Sequence, residues 1–165
     1  MKAVVQRVSS STVTVGGDLV GSTLNPQTGR THGLLIFLGV AIGDSKVESS
    51  YLANKIANLR IFEDEQSKMN KSVLDVGGSA LVVSQFTLLA DWQKGRRPGF
   101  SQAAPPKEAE ELYLHFTKEL EQQGVNVQTG QFGASMSVSL TNYGPVTLVL
   151  DSKEVAPEAG LSGGD

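Results

Sequence analysis

Leu34-Leu35-Ile36-Phe37-Leu38-Gly39-Val40 decides the fold. A run of strand length with no polar alternation offers no face to water, so it reads as a central strand buried on both sides. Upstream, residues 2–8 and 11–15 are rich in Val and Thr, and Gly16-Gly17-Asp18 supplies the turn of a hairpin or meander leading to a short strand at 20–23. Residues 24–32 are polar and contain Asn25-Pro26 and Thr28-Gly29, which marks an exposed loop. Downstream, Ser45-Lys46-Val47-Glu48 carries the capping-box pattern, and Val47, Tyr51, Leu52, Ile56 and Leu59 follow at helical spacing. Pro106 suits the first turn of a second helix with the stripe Ala109, Leu112, Tyr113, Phe116 and Leu120, and Gly124 ends it. Further strands are expected at 60–62, 80–85, 125–129, 135–141 and 146–150. Strands outnumber helices without alternating strictly with them, which predicts an α+β fold, mostly antiparallel, with two main helices packed on one side. The 165 residues suit a single domain over 1–151, and the Pro, Gly, Glu and Ser of 152–165 read as a disordered tail.

The composition removes several chemistries. Without cysteine there is no disulfide framework, no thiol nucleophile and no thiolate-bound zinc. His32 and His115 read as surface residues with no partner at metal-ligand spacing, so neither a metal nor a cofactor is expected. Glu63-Asp64-Glu65 reads as a solvated turn, and Glu108, Glu110 and Glu111 suit the first turn of a helix. Neither a G-x-S-x-G elbow nor a P-loop is present. The apolar runs are too short to span a bilayer and Met1-Lys2-Ala3-Val4-Val5 opens as a strand, so a cytoplasmic protein without membrane association is expected. A net charge of −3 argues against broad coating of nucleic acid but leaves room for a local basic patch.

Two segments remain. In Ser84-Gln85-Phe86-Thr87-Leu88, polar residues interrupt the apolar Val82-Val83 and Leu88-Leu89. Such a strand end either aims hydroxyls, an amide and backbone N–H groups into a cleft or is an ordinary strand edge, and local composition leaves both open. In Asn142-Tyr143-Gly144-Pro145-Val146-Thr147, Gly-Pro is either a turn or a rigid corner that fixes carbonyl oxygens in space. Between them lies the long loop 91–106, where Lys94, Arg96 and Arg97 form the best basic patch. Contact with RNA phosphates and solvated loop charge are equally good accounts of it.

Together these segments resemble the D-aminoacyl-tRNA deacylases. The resemblance is carried by Ser84-Gln85-Phe86-Thr87-Leu88 and by Asn142-x-Gly144-Pro145-Val146-Thr147. Val5-Gln6-Arg7-Val8, Lys68-Met69-Asn70, Arg97-Pro98-x-Phe100-Ser101 and Gln128-Thr129-Gly130-x-Phe132 back it, in order along residues 1–150. It implies a homodimer with a small β-barrel-like sheet and helices, and a cleft for the 3′ adenosine of an aminoacyl-tRNA. The activity implied is hydrolysis of the ester of D-aminoacyl-tRNAs, and of glycine mischarged on tRNA, as chiral proofreading in translation. Ser84, Gln85, Phe86 and Thr87 would form the catalytic floor. Gly144-Pro145 of the partner subunit would act as a cis-peptide chirality filter, supported by Arg7. Phe132 and Met136 would shape the adenosine pocket, and Lys94, Arg96 and Arg97 would meet tRNA phosphates. The alternatives are the sister class that removes mischarged L-alanine and a non-catalytic nucleic-acid-binding module. Residues 24–32 and 152–165 depart from the usual pattern of the family, but lie outside its motifs.

Overall fold

In a computed structural model, residues 1–154 are described. The scaffold is one long strand, β1 (Lys2–Val15), with partners on both edges. On one edge it pairs antiparallel with β3 (Gly33–Gly39) through residues 2–8, and with β2 (Asp18–Ser22) through residues 12–15. On the other, β8 (Ser137–Asp151) runs antiparallel along nearly its whole length. The segments expected at 2–8 and 11–15 are therefore halves of one strand, as are those at 135–141 and 146–150.

From β3 the sheet continues in parallel to β6 (Ser79–Ser84) and β7 (Asn126–Thr129). The sheet is therefore mixed: its pairing is mostly antiparallel, as expected, but β3–β6 and β6–β7 run parallel, which the sequence did not reveal. The cause is the connections: α1 (Lys46–Asn58) lies between β3 and β6, and α2 (Pro106–Gln122) between β6 and β7. A crossover through a helix returns the chain in the same direction, which is the parallel arrangement. The Gln128 side chain accepts from Ser22 N–H at 2.9 Å and donates to Leu24 O at 3.1 Å, tying β7 to β2 and nearly closing a barrel. A two-stranded hairpin, β4 (Phe62–Glu63) and β5 (Met69–Lys71), stands apart.

Both faces of β3 are buried, as the unbroken apolar run requires. Leu34, Ile36 and Leu38 join Ala3, Val5, Ala80 and Val82 beneath the helices, which contribute Leu52, Ile56, Phe116 and Leu120. Leu35 packs on the opposite face with Val8, Val13, Leu81 and Val83. The capping box at α1 forms as expected, with Ser45 Oγ accepting from Val47 N–H at 3.1 Å and Glu48 accepting from Ser45 N–H at 2.8 Å. Pro106 opens α2 in its first turn, where a missing N–H costs nothing.

One surface expectation is revised and another is sharpened. His115 lies between the helices, its Nδ1 3.0 Å from the hydroxyl of fully buried Ser49. Loop 24–32 is an exposed loop as expected, and it is pinned: Asn25 is buried, its carboxamide accepts from the N–H groups of Gln27 and Thr28, and Arg30 donates to Val76 O at 2.8 Å. Residues 152–154 form a 3-10 turn in which Ser152 N–H donates to Met1 O at 2.9 Å, and the rest of the expected tail lies outside the described residues.

Candidate active site

The polar motif sits where β6 stops. Gln85 N–H still bonds to Leu38 O at 2.8 Å, and the chain then tightens into a 3-10 turn over Phe86–Leu89. That turn lies against β3 because position 39 is glycine. A Cβ there would stand 2.9 Å from Gln85 O and 3.1 Å from Leu88 Cβ. Leu89 is buried beneath the turn, while Phe86 and Thr87 face outward. The N–H groups of Phe86 and Thr87 have no acceptor among the described residues, so two adjacent backbone donors are free at the mouth of the turn. The Gln85 carboxamide donates to Thr87 Oγ1, which fixes the hydroxyl and leaves its own proton available.

Phe86 is 55 % exposed, with one edge covered by Phe100 at a centroid separation of 4.9 Å and an interplanar angle of 71°. Phe100 was assigned no role beforehand; its one signal is its place in the Arg97-Pro98-x-Phe100-Ser101 motif. Segment 130–136 flanks the same strand end. Gly130 N–H donates to Val82 O at 3.0 Å, Phe132 leans on Tyr113 at 5.8 Å, and Met136 packs with Val83 and Leu81. The Tyr113 hydroxyl also donates to Val82 O, at 2.8 Å, and burial pushes its pKa up to about 12.

The corner of β8 is built differently. Gln6 pairs with Thr147 and Val8 with Asn142, so a single β1 residue, Arg7, faces four on β8, and residues 143–146 bulge from the ladder. Asn142 closes the neck of the bulge, accepting from Val146 N–H at 3.1 Å and donating to Thr147 Oγ1 at 2.8 Å. Gly144 and Pro145 lie exposed at its tip, joined by a cis peptide. Beneath them Arg7, 3 % exposed, donates through Nε to Tyr143 O at 3.0 Å and through Nη1 to Ile61 O at 2.7 Å. The Tyr143 ring covers the guanidinium at 4.9 Å, and Glu63 approaches it at 3.7 Å. Tyr143, Ile61 and Glu63 had no assigned role, and for the two carbonyls no side-chain pattern could have given one.

The sheet register separates this corner from the motif of its own chain. Ser84, Leu38, Ala3 and Leu150 lie on one line across the sheet, and Ala80, Leu34 and Arg7 on another, four residues along each strand. At roughly 3.3 Å per residue and 4.8 Å per strand, corner and turn are on the order of 15–20 Å apart within one chain. Lys94, Arg96 and Arg97 lie on exposed loop 91–105, which leaves directly from the turn.

The fold and these motifs place the chain in a class of small barrel-like α+β proteins with an exposed Gly-Pro corner. Residues 4–151 match the family model described as D-Tyr-tRNA(Tyr) deacylase, and the chain belongs to that family. It is 57 % identical over 152 residues to a D-aminoacyl-tRNA deacylase of Roseiflexus sp. (strain RS-1), covering 92 % of this chain and 94 % of that one. It is 56 % identical over 151 residues to a D-aminoacyl-tRNA deacylase of Ruegeria pomeroyi, covering 92 % and 99 %. Among solved structures it is similar to a c-Myc DNA unwinding element binding protein, at TM-score 0.83 and 40 % identity over 92 % of this chain and 98 % of the other. The fold also matches a structure described as a probable eukaryotic D-amino acid tRNA deacylase, at TM-score 0.73 and 15 % identity over 90 % and 97 %.

Proposed function

We propose that this protein hydrolyses the ester bond of D-aminoacyl-tRNAs, and of glycine mischarged on tRNA, releasing the amino acid and free tRNA as proofreading in translation. Residues 1–151 act as the single deacylase domain, in the cytoplasm, as a homodimer. The observation that carries this reading is the pairing of two free N–H groups at Phe86 and Thr87 with a gate mounted elsewhere in the fold.

An aminoacyl ester is already activated, so its hydrolysis needs orientation and oxyanion stabilisation more than a strong base. The N–H groups of Phe86 and Thr87 receive the charge that develops on the carbonyl oxygen. Thr87, held by Gln85, positions substrate and water; no histidine or carboxylate is hydrogen-bonded to its hydroxyl among the described residues, which favours positioning over covalent catalysis. The terminal ribose 2′-OH assists the water. Phe132 and Met136 border the adenosine, and Lys94, Arg96 and Arg97 meet phosphates.

Selectivity follows from exclusion. With its own corner roughly 15–20 Å away by strand spacing, each cleft takes Gly144-Pro145 from the second copy. Their carbonyls fill the space an L side chain needs, while a D side chain points to solvent and glycine presents nothing to reject. Arg7 holds the gate from below through Tyr143 O. A name that speaks of DNA binding, borne by a solved relative at 40 % identity, keeps a non-catalytic nucleic-acid-binding role as the second reading. Matched D- and L-tyrosyl-tRNA decide between them. Rapid loss of the D ester with survival of the L ester is expected; rapid L-tyrosyl or L-alanyl hydrolysis, or no hydrolysis at all, would overturn the assignment.

A further inference from the structure

The loop beyond the catalytic turn carries a feature that ester hydrolysis does not use. Asp91 and Gly99 exchange two backbone hydrogen bonds of 2.8 Å, closing residues 92–98 into a short exposed loop. Trp92 stands at its start with 75 % of its surface open to solvent, and it is the single tryptophan of the chain. Lys94, Arg96 and Arg97 follow, and among the described residues none of the three is paired with a carboxylate. Both ends of the loop are anchored at the cleft, since Leu89 is buried under the catalytic turn and Phe100, next to Gly99, packs edge-on against Phe86 at 4.9 Å.

A single exposed apolar side chain is ordinary on a protein surface, so the case for a bound molecule at Trp92 rests on what stands beside it. The neighbours of Trp92 indicate what kind. A protein partner of ordinary type would call for further apolar residues, and within 92–98 Trp92 is joined only by Pro98. A flat, stackable ring beside three unpaired cations suits single-stranded nucleic acid, whose bases stack on aromatic faces while its phosphates meet ammonium and guanidinium groups.

We propose that loop 92–98 is a docking surface for single-stranded RNA next to the terminal adenosine, with Trp92 stacking on a base and Lys94, Arg96 and Arg97 contacting the adjoining phosphates. This rests on the deacylase reading, in which the 3′ end is held at the turn after β6. Trp92 would thus make the enzyme prefer a charged tRNA over an isolated aminoacyl nucleoside.

The test uses the full chain and two readouts. Tryptophan emission reports Trp92 alone, so titration with uncharged tRNA ending in its single-stranded 3′ tail should quench it, and the same tRNA trimmed of the tail should not. Kinetically, the preference of the wild type for D-tyrosyl-tRNA over the D-tyrosyl ester of adenosine should shrink about tenfold in Trp92→Ala. Trp92→Phe, which keeps a ring, should restore most of it. Emission unchanged at saturating tailed tRNA would overturn the proposal. So would an equal loss on both substrates in Trp92→Ala, or emission that follows protein concentration and not RNA, which would place Trp92 between copies of the chain. If the wild type hydrolyses neither substrate, the deacylase reading fails while the emission titration still decides the RNA contact.

Discussion

Gly144→Ala should unsettle the gate through Arg7. Gly144 has φ +125°, a region L residues rarely adopt, at a cost of about 1–3 kcal/mol. The added Cβ would stand 2.6 Å from Arg7 Nη2 and 3.0 Å from Val146 Cγ2. Nη2 ends a flexible side chain, but Arg7 is buried and both Nε and Nη1 are committed to carbonyls. Moving it weakens hydrogen bonds from a charged donor, each worth about 1.5–3 kcal/mol. A total loss of about 3–5 kcal/mol is therefore expected, a large part of the ~5–15 kcal/mol of a typical domain. Urea unfolding of wild type, Gly144→Ala, Arg7→Ala and the double variant measures it. Because the clash is with Arg7, the alanine should cost less once Arg7 is gone, with a coupling of at least about 1 kcal/mol. Deacylation of D-tyrosyl-tRNA should fall about 100-fold in Gly144→Ala, as for a displaced positioning group. A wild-type midpoint, or strictly additive effects, would show that Gly144 is not held against Arg7.

Other expectations are smaller. Thr87→Ala should lower kcat about 10–100-fold without trapping of an acyl-enzyme, which mass spectrometry of a quenched reaction checks. Gln85→Ala, which frees the Thr87 hydroxyl, should cost about tenfold in kcat, and less than that on top of Thr87→Ala. Tyr113 has a raised pKa, so its neutral form is the one the fold favours. The stability it contributes is complete below the ordinary phenol value and is lost as pH rises from there to about 12, which denaturation at alkaline pH follows and Tyr113→Phe abolishes. Ser45→Ala should cost about 1 kcal/mol by removing the cap. The Ser45 hydroxyl also holds the Glu48 pKa below its ordinary value, so the contribution is complete above that value and is lost as pH falls from there through the lowered folded-state value.

What the sequence made legible was local. The α1 cap needs only Ser45 and Glu48, and the buried run of β3 needs only its own residues, so both were readable. The direction of β6 and β7 was not, because it depends on where two helical crossovers return the chain. The length of β1 was hidden for a similar reason: Ser9 and Ser10 look like a break, and only pairing with β8 on the far edge keeps the strand continuous. At the site, the motif residues Ser84–Thr87 and Asn142–Thr147 stood out by composition, since hydroxyls and amides interrupt apolar strands. Their geometry did not. Arg7 is held by the carbonyls of Tyr143 and Ile61, far apart in the chain, and a carbonyl carries no side-chain signature. The separation between corner and turn emerges only from the register of four strands.

That separation requires each cleft to be completed by the other subunit, which mixed dimers can show. A Gln85→Ala/Thr87→Ala chain has a damaged cleft and an intact corner, and Gly144→Ala has the reverse. Each alone should hydrolyse D-tyrosyl-tRNA poorly. Unfolded together and refolded as random dimers, half of the dimers are mixed, and each of those regains one complete site, so activity should rise to about a quarter of wild type. A mixture no more active than its components would show that the corner serves the cleft of its own chain and that no site is shared between subunits.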